Sequence, residues 1–70
     1  MSKVKASIIK ALKAAPDSGL TDAEIATRTT FPVPSVRRAR LQMENDGDIF
    51  ALNGSEADRA NPLRWKLYPE

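Results

Sequence analysis

The sequence predicts an α+β domain in which a bundle of three helices is followed by a C-terminal two-stranded antiparallel β-hairpin. Three observations carry this. Apolar residues recur at helical spacing from Val4 to Met43, the period then switches to strict alternation over Leu63 to Tyr68, and turn-forming residues fall between the periodic blocks. With 70 residues there is room for one domain, spanning residues 1–70.

In the first block Val4, Ile8, Ala11, Leu12 and Ala15 share one face of a helix expected over residues 3–15, while Lys3, Lys10 and Lys13 project elsewhere. Pro16-Asp17-Ser18-Gly19 closes it. Thr21 and Glu24 form a capping-box pair, each side chain matched to the other's backbone amide, so a second helix is expected over 21–29 with Leu20 packed just before it and Ile25 inside. It stops where the β-branched Thr29-Thr30 meets Phe31-Pro32.

Pro34 suits the first position of a third helix, residues 34–46, and Gly47 suits its end. Val36, Ala39 and Met43 mark its inward stripe. Pro34, Arg38, Leu41 and Asn45 point away, flanked by Arg37 and Gln42. A hairpin pairing 48–53 with 62–68 follows, in which Leu63, Trp65 and Leu67 share one face and Arg64, Lys66 and Tyr68 the other. Ser55-Glu56-Ala57-Asp58 lacks strand character, so Asn53 to Pro62 reads as a long loop. The expected core is Val4, Ile8, Leu12, Leu20, Ile25, Val36, Met43, Ile49, Trp65 and Leu67.

Composition narrows the function. Of 29 hydrophobic residues ten are alanine, so the core is thin, and with no cysteine its stability rests on packing or on an oligomer. The absence of both Cys and His removes thiol nucleophiles, imidazole bases, haem ligation and the usual zinc sets, so neither an enzyme, a metal nor a cofactor is expected. No apolar run approaches the roughly 20 residues that span a bilayer, and Met1-Ser2-Lys3-Val4-Lys5 opens an alternation unlike a signal-peptide core. A cytoplasmic protein without membrane contact is expected.

The net charge is only +2, but basic residues are blocked: Lys3, Lys5, Lys10 and Lys13 without an acid in the first helix, then Arg37, Arg38 and Arg40 unopposed in the third. Glu44, Asp46 and Asp48 follow, and the 53–62 loop sets Glu56 and Asp58 against Arg59. The loop's net of −1 argues against its insertion into a groove, and Glu44, Asp46 and Asp48 are expected to repel phosphate near the end of the third helix.

Helix, helix, short turn, helix, strand, long loop, strand is the order of a winged helix-turn-helix domain, and the residues resemble that family over almost the whole chain. Leu20-Thr21-Asp22-Ala23-Glu24-Ile25-Ala26 looks like the start of the family's second helix. Ser35-Val36-Arg37-Arg38, followed by Met43 and Gly47-Asp48-Ile49, looks like its recognition helix running into the first wing strand, and Trp65 is similar to an aromatic often seen in the returning strand. Small stand-alone domains of this kind resemble regulators of bacteria, their phages and other mobile elements. The resemblance implies sequence-specific binding of double-stranded DNA in transcription or recombination control, with residues 34–46 in the major groove.

The chemistry of that activity can be stated for these side chains. Arg37 and Arg38 can each donate two parallel hydrogen bonds to a guanine edge, Gln42 can pair with adenine, and Leu41 can meet a thymine methyl or serve as an ordinary exposed leucine. Thr21, Arg28, Ser35, Arg64 and Lys66 are phosphate candidates, Arg64 and Lys66 reading equally as a solvated sheet face. Arg40 lies near the inward stripe. It either covers the core edge with its stem or pairs with a carboxylate such as Glu24 or Glu44.

A second class of function competes: a winged-helix adaptor, or an inhibitor of a host protein, anchored by Leu41, Phe31 or Phe50. No heptad seam or spare helix remains, so a monomer or a weak homodimer through the first helix or the sheet edge is expected.

Overall fold

The first helix, α1, runs Lys3–Lys13 and buries Ile8 and Leu12, as its spacing requires. The computed structural model describes residues 3–54 and 57–69, so Met1, Ser2, Ser55, Glu56 and Glu70 lie outside the described residues. After α1 the chain continues through hydrogen bonds from the Ala14 amide to the Lys10 carbonyl and from the Ala15 amide to the Leu12 carbonyl. The turn that follows ends at Gly19, which is buried with φ +72° and whose amide donates to the Pro16 carbonyl. A Cβ there would sit 2.6 Å from the Trp65 carbonyl oxygen. Both the dihedral and the backbone approach therefore require glycine.

The second helix, α2, spans Asp22–Thr29, and its N-terminus is the capping box expected for it. The Glu24 amide donates to Thr21 Oγ1 at 3.2 Å, and Glu24 Oε1 accepts from the Thr21 amide at 3.0 Å. The helix stops at Thr30, whose φ of 63° places a β-branched residue in the left-handed region. Its hydroxyl donates to the Thr29 carbonyl at 2.6 Å.

The third helix, α3, runs Val33–Asn45. It starts one residue earlier than Pro34 alone suggests, because Pro32 caps it and accepts from the Ser35 and Val36 amides, which leaves Pro34 in the second helical position. The far end is a complete Schellman motif. Gly47, at φ +78°, donates to the Glu44 carbonyl, and the Asp48 amide donates to the Met43 carbonyl.

Strands β1 (Ile49–Ala51) and β2 (Trp65–Leu67) pair antiparallel, with Ile49 opposite Leu67 and Ala51 opposite Trp65. Flanking bonds from the Leu52 amide to the Arg64 carbonyl and from the Tyr68 amide to the Asp48 carbonyl extend the backbone pairing to 48–52 with 64–68, short of the expected 53 and 62, where the Asn53 side chain takes over. Leu20 also exchanges both backbone hydrogen bonds with Trp65, so β2 has a neighbour on each side. Sequence periodicity does not reveal this one-residue bridge. Asn53 ties the base of the long loop, donating to the Pro62 carbonyl and accepting from the Arg64 amide, and Asp58 Oδ1 accepts from the Asn61 amide.

The three helices pack on one another, β2 packs on α1, and β1 packs on α3, giving the layout of a winged helix. Trp65, Ile8, Leu20, Ile25, Met43, Ile49 and Val36 are essentially sealed from solvent, with Leu12 close behind. Val4 and Leu67 are only half-buried, since each sits at an edge, one in the first turn of α1 and the other at the end of a short strand. Among the described residues the indole Nε1 of Trp65 has no acceptor.

Candidate nucleic-acid interface

Helical phase splits the polar side chains of α3 between two faces. Arg40 turns inward and is 8% exposed. Its Nε donates to Asp22 Oδ1 and its Nη2 to Asp22 Oδ2, each at 3.0 Å, a two-pronged pair that fixes α3 against the first turn of α2. The guanidinium also lies 4.5 Å from the centroid of the Trp65 ring, and Nη1 is 3.6 Å from Glu44 Oε1. Arg40 is thus a packing and bridging residue. Its principal partner is Asp22, neither Glu24 nor the more distant Glu44. The signal was available in the sequence, because the capping box already engages Glu24 and leaves Asp22 as the free carboxylate of that turn.

Arg37, Arg38, Leu41 and Gln42 all lie exposed on the outer face of α3. Arg38 and Gln42 line a groove of about 410 Å³ with Ser35, Ala39 and Val4 of α1. Arg37 lines a second groove with Thr21, Asp22, Ala23, Val33, Pro62 and Leu63, where the start of α2 and the end of the long loop meet α3. Two base-reading candidates and Ser35 therefore share one groove, and Arg37 and Thr21 share the other.

Among the described residues Arg38 has no ion-pair partner. Arg37 Nε is 3.9 Å from Asp22 Oδ2, a loose contact, and Gln42 Nε2 donates to Asp46 Oδ1 at 3.1 Å. Leu41 is 48% exposed between them.

The acids expected to repel phosphate each stand beside a cation. Lys5 Nζ is 3.2 Å from Asp48 Oδ2 and 3.9 Å from Asp46 Oδ2, while Glu44 faces Arg40. Lys5 is one cation for two acids and the Arg40 charge is already engaged by Asp22, so the end of α3 keeps a net negative field that opposes phosphate there.

The phosphate candidates are dispersed. Thr21 is buried, its hydroxyl accepting from the Glu24 amide. Arg64 is held inside the fold, Nε donating to the Ser18 carbonyl at 2.8 Å and Nη2 to the Gly19 carbonyl and Glu24 Oε1 at 3.1 and 3.0 Å. It braces the α1–α2 turn against β2. The Glu24 carboxyl is held below its ordinary range chiefly by the Thr21 amide, opposed by partial burial and helped by the Arg64 charge, the Thr21 hydroxyl and, least, the Arg28 charge. Lys66 is half-buried, with Nζ 4.0 Å from Asp17, and Arg28 lies in a groove between α1 and α2 that no α3 residue lines. Of the set only Ser35 shares a groove with Arg38 and Gln42.

Of the proposed protein anchors, Phe31 packs half-buried on the core and Phe50 lies 4.8 Å, centroid to centroid, from Tyr68. Leu41 alone of the three is exposed. Among the described residues no group of acids, His or Cys can hold a metal ion, and no helix is long and apolar enough to cross a membrane. Comparison with family models, with characterised proteins and with solved structures finds no match to the chain.

Proposed function

We propose that this chain binds double-stranded DNA through α3, reading base edges in the major groove as a small regulator of transcription or recombination. The supporting observation is the exposed outer face of that helix, where among the described residues Arg38 has no ion-pair partner and Arg37 and Gln42 only weak ones, while Arg40 is engaged by Asp22 within the fold. Thirteen helical residues make a rod about 20 Å long, and a major groove about 12 Å wide admits it. The flanking grooves leave both sides of the helix open to the DNA backbone, where the Ser35 hydroxyl suits phosphate, while the Ser35 and Val36 amides are already taken by the Pro32 carbonyl and Pro34 has none to offer.

A backbone NMR titration with mixed duplexes tests this. Amide shifts are expected along residues 33–45 and at the start of α2, with affinity falling by a log–log salt slope of about −0.9 for each phosphate neutralised. Leu41, exposed at the centre of the same face, supports a second reading as an anchor for a protein partner. That reading replaces the first if duplexes shift no α3 amides and Leu41→Asp abolishes capture of a defined partner by a complex whose affinity is indifferent to salt.

A further inference from the structure

The α1–α2 side of the bundle carries a second concentration of positive charge that the reading of α3 leaves unused. Lys10 and Arg28 line a groove of about 340 Å³ whose floor is formed by the small side chains of Ala11 and Ala14, with Ser7 and Thr29 at its walls. Lys13 lies exposed three residues beyond Lys10. Among the described residues no carboxylate lines this groove, and Lys10, Lys13 and Arg28 have no ion-pair partner. Glu24, one turn before Arg28, is paired with Arg64 and interacts more weakly with Arg28 as well.

A structural explanation is available, since all three cations lie in the last turns of their helices and complement the helix dipoles. Magnitude decides against that as the whole account. Two helix C-termini contribute about −0.5 elementary charge each, against the two full positive charges that line the groove, which leaves about +1 there, with Lys13 adding a further charge just beyond it. The Thr29 hydroxyl already donates to the Ile25 carbonyl, so the groove offers two cations and the Ser7 hydroxyl, a donor set suited to a phosphodiester.

Because the three helices pack mutually, the groove between α1 and α2 lies across the bundle from the outer face of α3. We propose that this groove binds the phosphate backbone of a second DNA segment, so that one copy of the chain bridges two duplexes, one on α3 and the other on Lys10 and Arg28. The bridge rests on the reading of α3 as a duplex-binding helix. The molecule measures 31 × 28 × 22 Å, well beyond the Debye length of about 8 Å at physiological salt, so two bound duplexes on opposite sides are screened from one another.

The test uses the intact chain and two short mixed-sequence duplexes, one carrying a donor fluorophore and the other an acceptor. The parent is expected to bring them together and produce energy transfer. The Lys10→Glu/Arg28→Glu variant is expected to lose that transfer while its affinity for a single duplex, read by anisotropy, changes by less than about twofold, given the screening distance. Lys10→Ala/Arg28→Ala, with a thermal midpoint checked against the parent, is expected to do the same if charge reversal disturbs folding. Transfer that survives both pairs reports self-association and overturns the bridge, as does full single-duplex affinity in the parent without transfer. Loss of single-duplex affinity in the groove variants equal to that of Arg37→Ala/Arg38→Ala also overturns it, because the groove is then part of one interface. A parent that binds no duplex fails the α3 reading itself, and the bridge with it.

Discussion

The two faces of α3 carry the same residue type and put it to opposite uses. On the inner face Arg40 meets Asp22 with two hydrogen bonds of 3.0 Å and lies over the Trp65 ring, so its charge is absorbed by the fold. On the outer face Arg38 meets no carboxylate among the described residues, and Arg37 reaches Asp22 only at 3.9 Å. An arginine count therefore says little about an electrostatic partner. What matters is whether the fold already supplies the acceptors, and the same distinction separates the braced Arg64 from Arg28.

The comparison breaks most visibly at Trp65, on which the inner face rests. Trp65→Ala is expected to cost about 3–5 kcal/mol, the usual range for truncating a large buried aromatic. A domain of this size has a total stability on the order of 5 kcal/mol, so much of the population should be unfolded in urea-free buffer by circular dichroism. Trp65→Phe should lose less, because it also removes an indole N–H that has no acceptor among the described residues. An unchanged urea midpoint for Trp65→Ala would leave the inner face of α3 without its foundation.

Arg40→Ala comes next, at about 2–3 kcal/mol. Breaking a fully buried pair costs about 3–5 kcal/mol, but the Asp22 side chain keeps 19% exposure and a loose neighbour in Arg37, which lowers the figure. Arg40→Lys should recover only part of it, since an ammonium cannot form both bonds at once. A double-mutant cycle with Asp22→Asn should give a coupling of about 1–3 kcal/mol, and a coupling near zero would mean that the pair does not join α2 to α3.

The helical half was legible in the sequence because its signals are local. The capping box at Thr21 and Glu24, the glycine at position 47 and the spacing of Ile8, Leu12, Val36 and Met43 each act within a few residues. What was hidden depends on residues distant in the chain. Arg64 reaches back 46 residues to Ser18, and Leu20 pairs with Trp65, neither of which leaves a periodic trace. The same limit applied to the site: exposure of Arg37, Arg38, Leu41 and Gln42 follows from helical phase, whereas the engagement of Arg64 inside the fold and the removal of Arg28 to the α1–α2 side follow from tertiary placement.

Thr30 sharpens the comparison from the hinge between α2 and α3. A β-branched residue at φ 63° stores about 1–3 kcal/mol of strain, offset in part by its hydroxyl bond to the Thr29 carbonyl. Thr30→Gly removes the strain at an entropic cost of about 0.5–1 kcal/mol and also loses the hydroxyl bond, worth about 0.5–1.5 kcal/mol, for a net gain of about a few tenths of a kcal/mol. In a domain of this size that raises the melting midpoint slightly, at about 4–8 °C for each kcal/mol. Thr30→Val keeps the strain, loses the hydrogen bond and should melt lower than the parent. The inner-face pair should be untouched in both variants, so the Arg40–Asp22 coupling remains as in the parent.

The smallest effects on stability belong to the outer face. Arg37→Ala and Arg38→Ala should each leave the urea midpoint within about 0.5 kcal/mol of the parent, because both side chains are exposed and among the described residues neither holds a close ion pair. Their effect on binding is expected to be larger than their effect on folding. If one of them reads a guanine, its loss should weaken the preferred duplex by about 1–3 kcal/mol and relax base preference at one position, whereas Ser35→Ala, at the phosphate candidate that shares their groove, should weaken all duplexes alike. The contrast with Arg40→Ala, which lowers stability first and binding only as a consequence, is what the two faces require. Should Arg37→Ala and Arg38→Ala bind specific and random duplexes as the parent does, the unpaired charge of the outer face serves something other than DNA, and Leu41 becomes the residue to test.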